Sequence, residues 1–182
     1  DQLEIQIDSL GLQIIVRFQP VATDLRMVIG AMKTATNLER ISDQAVSIAK
    51  RSRKMLKNEE VPEVSRIEGL YQVAAGMLAD SITAYSDSDI DLALTVVERE
   101  KTLKKTHKTT SSFFSGKLET QTGHYRDYLD LVLICRWLDR VGNLATNIAE
   151  DVIFETTSAD IRHGGELPPE LLEGNNKPET SD

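Results

Sequence analysis

Apolar side chains return at three- and four-residue intervals along most of this chain, and nowhere in sustained alternation. That is the period of helices with one buried face rather than of strands. Leu3, Ile7, Leu10, Ile14 and Phe18 predict an amphipathic helix over residues 1–18, interrupted by Pro20. Thr23 or Asp24 is placed to cap a second helix. Leu25, Val28, Met32, Ala35, Leu38, Ile41, Ala45 and Ile48 carry it to about Lys54. Pro62 suits the first turn of a third helix, with Val64, Ile67, Tyr71, Ala74, Leu78, Ile82 and Tyr85 on its stripe. Residues 86–89 form the next turn and cap. A fourth helix then runs from Ile90 through Leu94, Val97 and Leu103 towards Phe114. Residues 116–123 are polar and turn-like. A last helix over about 124–156 carries Leu131, Ile134, Leu138, Val141, Ala145, Ile148 and Val152. Residues 158–182, rich in Gly, Pro, Glu, Asn and Ser, lack the period and predict a disordered tail.

The second and fifth helices repeat each other. Residues 37–50 read NLERISDQAVSIAK and residues 137–150 read WLDRVGNLATNIAE, aligned without a gap. Leu38/Leu138, Arg40/Arg140, Ala45/Ala145, Ile48/Ile148 and Ala49/Ala149 are identical. A match at fixed offset marks an internal repeat and sets the architecture. The expected fold is therefore all-α, built as two tandem three-helix bundles. The first unit spans 1–58 and lacks its leading helix in this chain; the second spans 59–157, and 158–182 is the tail.

Composition narrows the function classes. At 182 residues the chain can bury a sizeable core. Its net charge of -8 gives it no general attraction for nucleic acid or anionic lipid. The single cysteine, Cys135, excludes an internal disulfide framework and lies in an apolar run, where it reads as a small core residue. No run approaches the roughly 18 apolar residues of a membrane span, because Asp130 and Arg136 break the best candidate. No signal peptide is visible; the start lacks Met and lies inside a helical pattern, which reads as a fragment or a processed form, and the single cysteine fits a reducing compartment.

The repeated segment carries the chemistry. Glu39 and Asp43 stand four residues apart on one helix face, where like charges repel by a few tenths of a kcal/mol. A hard cation relieves that repulsion, and carboxylates from neighbouring helices commonly build such sites in bundles. In the second copy Asp139 is kept, but Asn143 replaces the second acid. Taken alone, an acidic pair at this spacing is more often a solvated helix edge. The basic end of the second helix, Lys50, Arg51, Arg53, Lys54 and Lys57, complements a helix dipole. The basic run of Lys101, Lys104, Lys105, His107 and Lys108 reads as a solvated face, and Arg40 and Arg140 point away from the acids. His107, His124 and His163 lack zinc-ligand spacing, and no phosphate loop or nucleophile–base set can be assembled.

Residues 19–29 (QPVATDLRMVI) with 36–49 (TNLERISDQAVSIA) resemble the first repeat of the PhoU family of phosphate-transport regulators, and 138–151 (LDRVGNLATNIAED) resembles the second. The resemblance covers roughly residues 1–156. It implies a non-enzymatic regulator that restrains phosphate uptake and links a phosphate transporter's ATPase subunit to a sensor histidine kinase. It also implies iron, zinc or another divalent cation on Glu/Asp-x-x-x-Asp motifs. Glu39 and Asp43 match that motif in full and Asp139 by half, with Asn143 departing. Asp1, Glu4 and Asp8 are candidates to complete the first site from the adjoining helix.

The reading is thus a cytoplasmic all-α adaptor forming a homodimer, with metal at Glu39, Asp43 and Asp139, binding neither nucleic acid nor membrane. Two rivals stand beside it. One is a carboxylate-bridged di-metal enzyme, which in its ferritin-like form requires a Glu-x-x-His pair that this sequence lacks. The other is a structural or regulatory PhoU-like domain of a larger transporter.

Overall fold

A computed structural model describes residues 1–58, 61–120, 123–159 and 161. Among them the chain forms five α-helices: α1 (Gln2–Phe18), α2 (Ala22–Met55), α3 (Glu68–Asp87), α4 (Ile90–Thr120) and α5 (Tyr125–Thr157). A short 3-10 helix, Val64–Ile67, precedes α3. No strand occurs among the described residues.

Helix α5 is the hub, packing against α4, α2 and α3. Its sequence explains this. Leu131, Ile134, Cys135, Leu138, Val141, Leu144, Ala145, Ile148, Ala149, Val152 and Ile153 span more than a single stripe, and all are buried. A helix apolar over most of its circumference needs neighbours on several sides. Leu70, Ala74, Met77 and Ala84 of α3, with Ala93, Val96, Leu103 and Phe114 of α4, fill the other side of this core. At Gly142 the approach of α4 is so close that a Cβ would lie 2.4 Å from a Leu103 methyl.

The hairpin of α1 and α2 joins this core through α2 alone in the main, with α1 lying along α2. Gly11 is the close point, its missing side chain occupied by Met32. Here the repeat diverges. Leu138 is 5% exposed and Leu38 is 38% exposed. Ala145 and Ala149 are fully buried, whereas Ala45 and Ala49 are exposed. Ile148 is buried, and Ile48 only half-buried against the core. The expected core role of Ile48 is therefore met in part. The cause is packing: α5 has three helices around it, and α2 has principally α1 and α5. On the α1 stripe, Leu3, Leu10, Ile14 and Phe18 are exposed.

Several boundaries differ from the pattern reading. α4 continues to Thr120 through the segment expected to turn at 116–123. Buried Phe114 and partly buried Leu118 hold this end against the core, which outweighs the cost of about 1 kcal/mol for mid-helix Gly116. Neither Thr23 nor Asp24 caps α2, which begins at Ala22 behind Val21. Pro62 precedes the 3-10 turn rather than α3 itself. The turn expected over 86–89 is confined to Ser88 and Asp89, because α3 continues through Asp87: Ser88 is left-handed at φ 53°, and Asp89 caps α4, its Oδ1 accepting from the Leu92 N–H at 3.0 Å. In the expected disordered tail, Ser158, Ala159 and Ile161 are described, and Ile161 is buried. The rest of the tail lies outside the described residues.

Candidate functional site

Helical spacing sets Glu39 and Asp43 one turn apart on α2, as the sequence requires. Glu39 Oε1 accepts from the Asp1 ammonium at 3.1 Å, and Asp43 is exposed. Their counterparts on α5 make a different arrangement. The Asn143 side-chain amide donates to Asp139 Oδ2 at 3.1 Å. His107 Nδ1 of α4 stands 3.7 Å from Asp139 Oδ1. One member of the basic run is thus turned inward, while Lys101, Lys104, Lys105 and Lys108 face solvent. Lys104 pairs at 2.7 Å with Glu100 on its own helix.

The Asn143 amide does at the second motif what a cation would do at the first: it places positive hydrogens against a carboxylate. The two motif copies are therefore chemically unequal. Among the described residues no group of three or more His, Cys, Asp or Glu is gathered in a way that could hold a metal ion.

Beside the motifs lies an open groove of about 850 Å³, lined from α2 by Lys33, Asn37 and Arg40, and from α5 by Asn143, Asn147 and Asp151. Lys33 Nζ pairs with Asp151 Oδ1 at 3.1 Å across the helix contact. Arg40, read from the sequence as pointing away from the acids, faces this groove.

The opposite end of the α2–α5 contact holds a polar network that sequence reasoning missed. Asp130, 2% exposed, is paired with both Arg51 and Lys54. Asn58 donates to Asp127 at 2.6 Å. Arg51 also lies over the Trp137 ring at 5.9 Å. The basic end of α2 therefore neutralises Asp130 near the start of α5, beyond any effect on its own dipole. The signal was present: Asp130 interrupts an apolar run, and a buried acid needs a cation. Nearby, Glu63 accepts from Lys117 and from the Tyr128 hydroxyl, each at 2.6 Å. The Lys117 and Tyr128 hydrogen bonds hold the Glu63 carboxyl below its ordinary value. Burial, with the bond to Glu63, pushes the Tyr128 phenol up to about 12. Cys135 is pushed up to about 12 by burial, so its thiol stays protonated and inert.

Comparison with known proteins places this arrangement. The PhoU domain model matches residues 1–52 and 67–152, covering both motif helices. The phosphate-specific transport system accessory protein PhoU homolog of Pseudomonas putida is 32% identical over 91% of this chain and 65% of its own length. Its counterpart in Pseudomonas aeruginosa is 33% identical over 91% of this chain and 69% of its own. The chain thus spans about two thirds of the length of these relatives. The crystal structure of Pseudomonas aeruginosa PhoU superposes with a TM-score of 0.83 at 30% identity, covering 86% of this chain and 76% of that one. The Streptococcus pneumoniae PhoU structure, at 21% identity and TM-score 0.73 over 87% of this chain and 72% of that one, shares the fold. The two Pseudomonas relatives are named as accessory proteins, which agrees with the expectation of a non-enzymatic chain. With the family model matched across both repeats and the helices superposed on a relative's crystal structure, this chain belongs to the PhoU family.

Proposed function

We propose that this chain is an accessory regulator of phosphate transport. It acts through protein contacts at the cytoplasmic side, as an adaptor between the transporter's ATPase subunit and a sensor histidine kinase. The observation that carries this reading is the family match across both repeats, joined to relatives named as phosphate-specific transport system accessory proteins. No helix among the described residues is long and apolar enough to cross a membrane.

The test is a pull-down with the tagged chain from cells grown in phosphate-rich medium, with bound proteins identified by mass spectrometry. Enrichment of the transporter ATPase subunit or the kinase supports the adaptor. Recovery of neither, from cells shown to contain both, overturns it.

Metal binding is the second element of the proposal. Glu39 and Asp43 are the candidate ligands for iron, zinc or another divalent cation, and Asp139 is the weaker one, because Asn143 already hydrogen-bonds it. Two carboxylates fall short of the six or more oxygens a hard cation gathers. Water or a second chain, as in a homodimer, would supply the remainder.

A further inference from the structure

Where α2 leaves the groove towards its N-terminal end, Glu155 of α5 reaches Gly30. The fit depends on the glycine: a Cβ there would lie 1.5 Å from Glu155 Oε1 and 2.2 Å from Cδ. The carboxyl therefore sits where a side chain of α2 would otherwise be. Its Oε1 is buried and has no hydrogen-bond partner among the described residues.

The charged and titratable groups around it come from three helices. From α2, Arg26 donates through Nε to the Glu155 backbone carbonyl at 3.2 Å, so its hydrogen bond serves the backbone rather than the carboxylate. Lys33, also on α2, has its ammonium 3.1 Å from Asp151. From α5 itself, the Asp151 charge raises the Glu155 pKa. From α3, the Tyr85 phenol lines the same groove of about 630 Å³, to which α1 contributes Ile7, Leu10, Gly11 and Ile14. An ionised carboxylate here faces a groove lined by apolar side chains and by Thr23, Tyr85, Ser86, Ser88 and Thr156, none of which bonds Oε1, with a neighbouring acid and an ammonium already engaged beside it. A buried charge without a direct partner is costly, whereas a neutral carboxyl is tolerated.

We propose that Glu155 is a proton-operated latch between the two repeats: neutral, it seats against Gly30 and holds the α1–α2 hairpin on α5, and ionised, it loosens that contact. The direction follows from the environment. Burial first, then Asp151, push this carboxyl from its ordinary value up to about 7, with Lys33 opposing. A carboxyl raised on folding contributes its full stabilisation below its unfolded pKa and loses it as pH rises through the folded value. The contact is thus tightest in mild acid and weakens across neutrality. Asp130 is held by two cations, Arg51 and Lys54, at the other end of the same helix pair. Loosening is therefore confined to the Glu155 end. This inference stands apart from the adaptor reading, because it concerns contacts within one chain.

Hydrogen exchange read by mass spectrometry, corrected for the chemical exchange rate, tests it between pH 5.5 and 8.5. In the unaltered chain, protection of residues 23–36 should fall about tenfold across that interval, the full linkage being discounted for partial exposure. Protection of residues 128–135 should stay level. Glu155→Gln, which keeps the shape and removes the titration, should abolish the fall. Glu155→Leu is a second neutral variant should the Gln form fold poorly. Gly30→Ala, which evicts the carboxyl, should lower protection of 23–36 at every pH. Flat protection in the unaltered chain overturns the latch, as does an equal slope in the neutral variants. A loss spread evenly over α3, α4 and α5 also overturns it, because Glu155 would then affect only global stability.

Discussion

The Tyr128 hydroxyl donates to Glu63 at 2.6 Å, tying the start of α5 to the segment between α2 and α3. Lys117 of α4 holds the other Glu63 oxygen. One exposed-side carboxylate thus joins three parts of the chain. Its folded pKa lies below its unfolded one. Its contribution is therefore present above the ordinary carboxylate range and lost as pH falls through the lowered value. Tyr128→Phe should lower the urea midpoint at pH 7, and the difference from the unaltered chain should shrink at pH 3. A constant difference at both pH values would show that Glu63 is not the group involved.

Leu38 and Leu138 hold equivalent places in the repeat with unequal burial. Leu138→Ala should cost about 2–5 kcal/mol and Leu38→Ala less than about 1 kcal/mol. Urea melts of the two variants check this, and equal losses would contradict the packing described for α2.

Asp130 is buried and its two cations are only partly so. Asp130→Asn should cost about 2 kcal/mol, below the value for a fully buried pair, because Arg51 and Lys54 can regain water. Thermal denaturation at two salt concentrations reads this out. Little change with salt is expected for the buried carboxylate.

Two glycines should respond with opposite sign. Gly116→Ala has open space around it in a helix and should gain about 0.5–1 kcal/mol. Gly142→Ala meets a buried Leu103 methyl at 2.4 Å and should lose about 1–3 kcal/mol. Melts of both variants provide the comparison.

For the metal proposal, Asp43→Asn should reduce bound iron or zinc after loading and desalting, as measured by elemental analysis. Asn143→Asp should leave it level or raise it, because the second motif then gains an acid and loses the amide that satisfies Asp139. Full retention of metal by Asp43→Asn would reduce the acidic pair to a solvated helix edge.

The helices were legible because apolar period and helical period coincide over long stretches, as in α2 and α5. The internal match was legible for the same reason, and with it the family. Helix ends were less so. The extension of α4 past Gly116 depends on Phe114 and Leu118 meeting the core, a tertiary contact that local spacing does not contain. Spacing singles out Glu39, Asp43 and Asp139 as candidates, and they lie on α2 and α5. The pairing of Asp130 with Arg51 and Lys54 was not found, because the partners lie far apart in sequence. A buried acid announces that it needs a cation without saying which one. Burial likewise separated Leu38 from Leu138, although the residues are identical.

The antiparallel contact of α2 with α5 also decides which helix may stand opposite which. Lys33 meets Asp151, and Arg51 meets Asp130. By the repeat, position 151 corresponds to 51 and position 130 to 30. Two α2 helices crossing in this same register would set Arg51 against Lys33, and two α5 helices would set Asp151 close to Asp130. Like charge meets like in both homotypic pairings, and opposite charges meet only in the mixed one. Duplicated halves that still resemble each other risk mistaking themselves for their partners during folding. The inverted charges at 51 and 151 give this chain a means of telling its two halves apart.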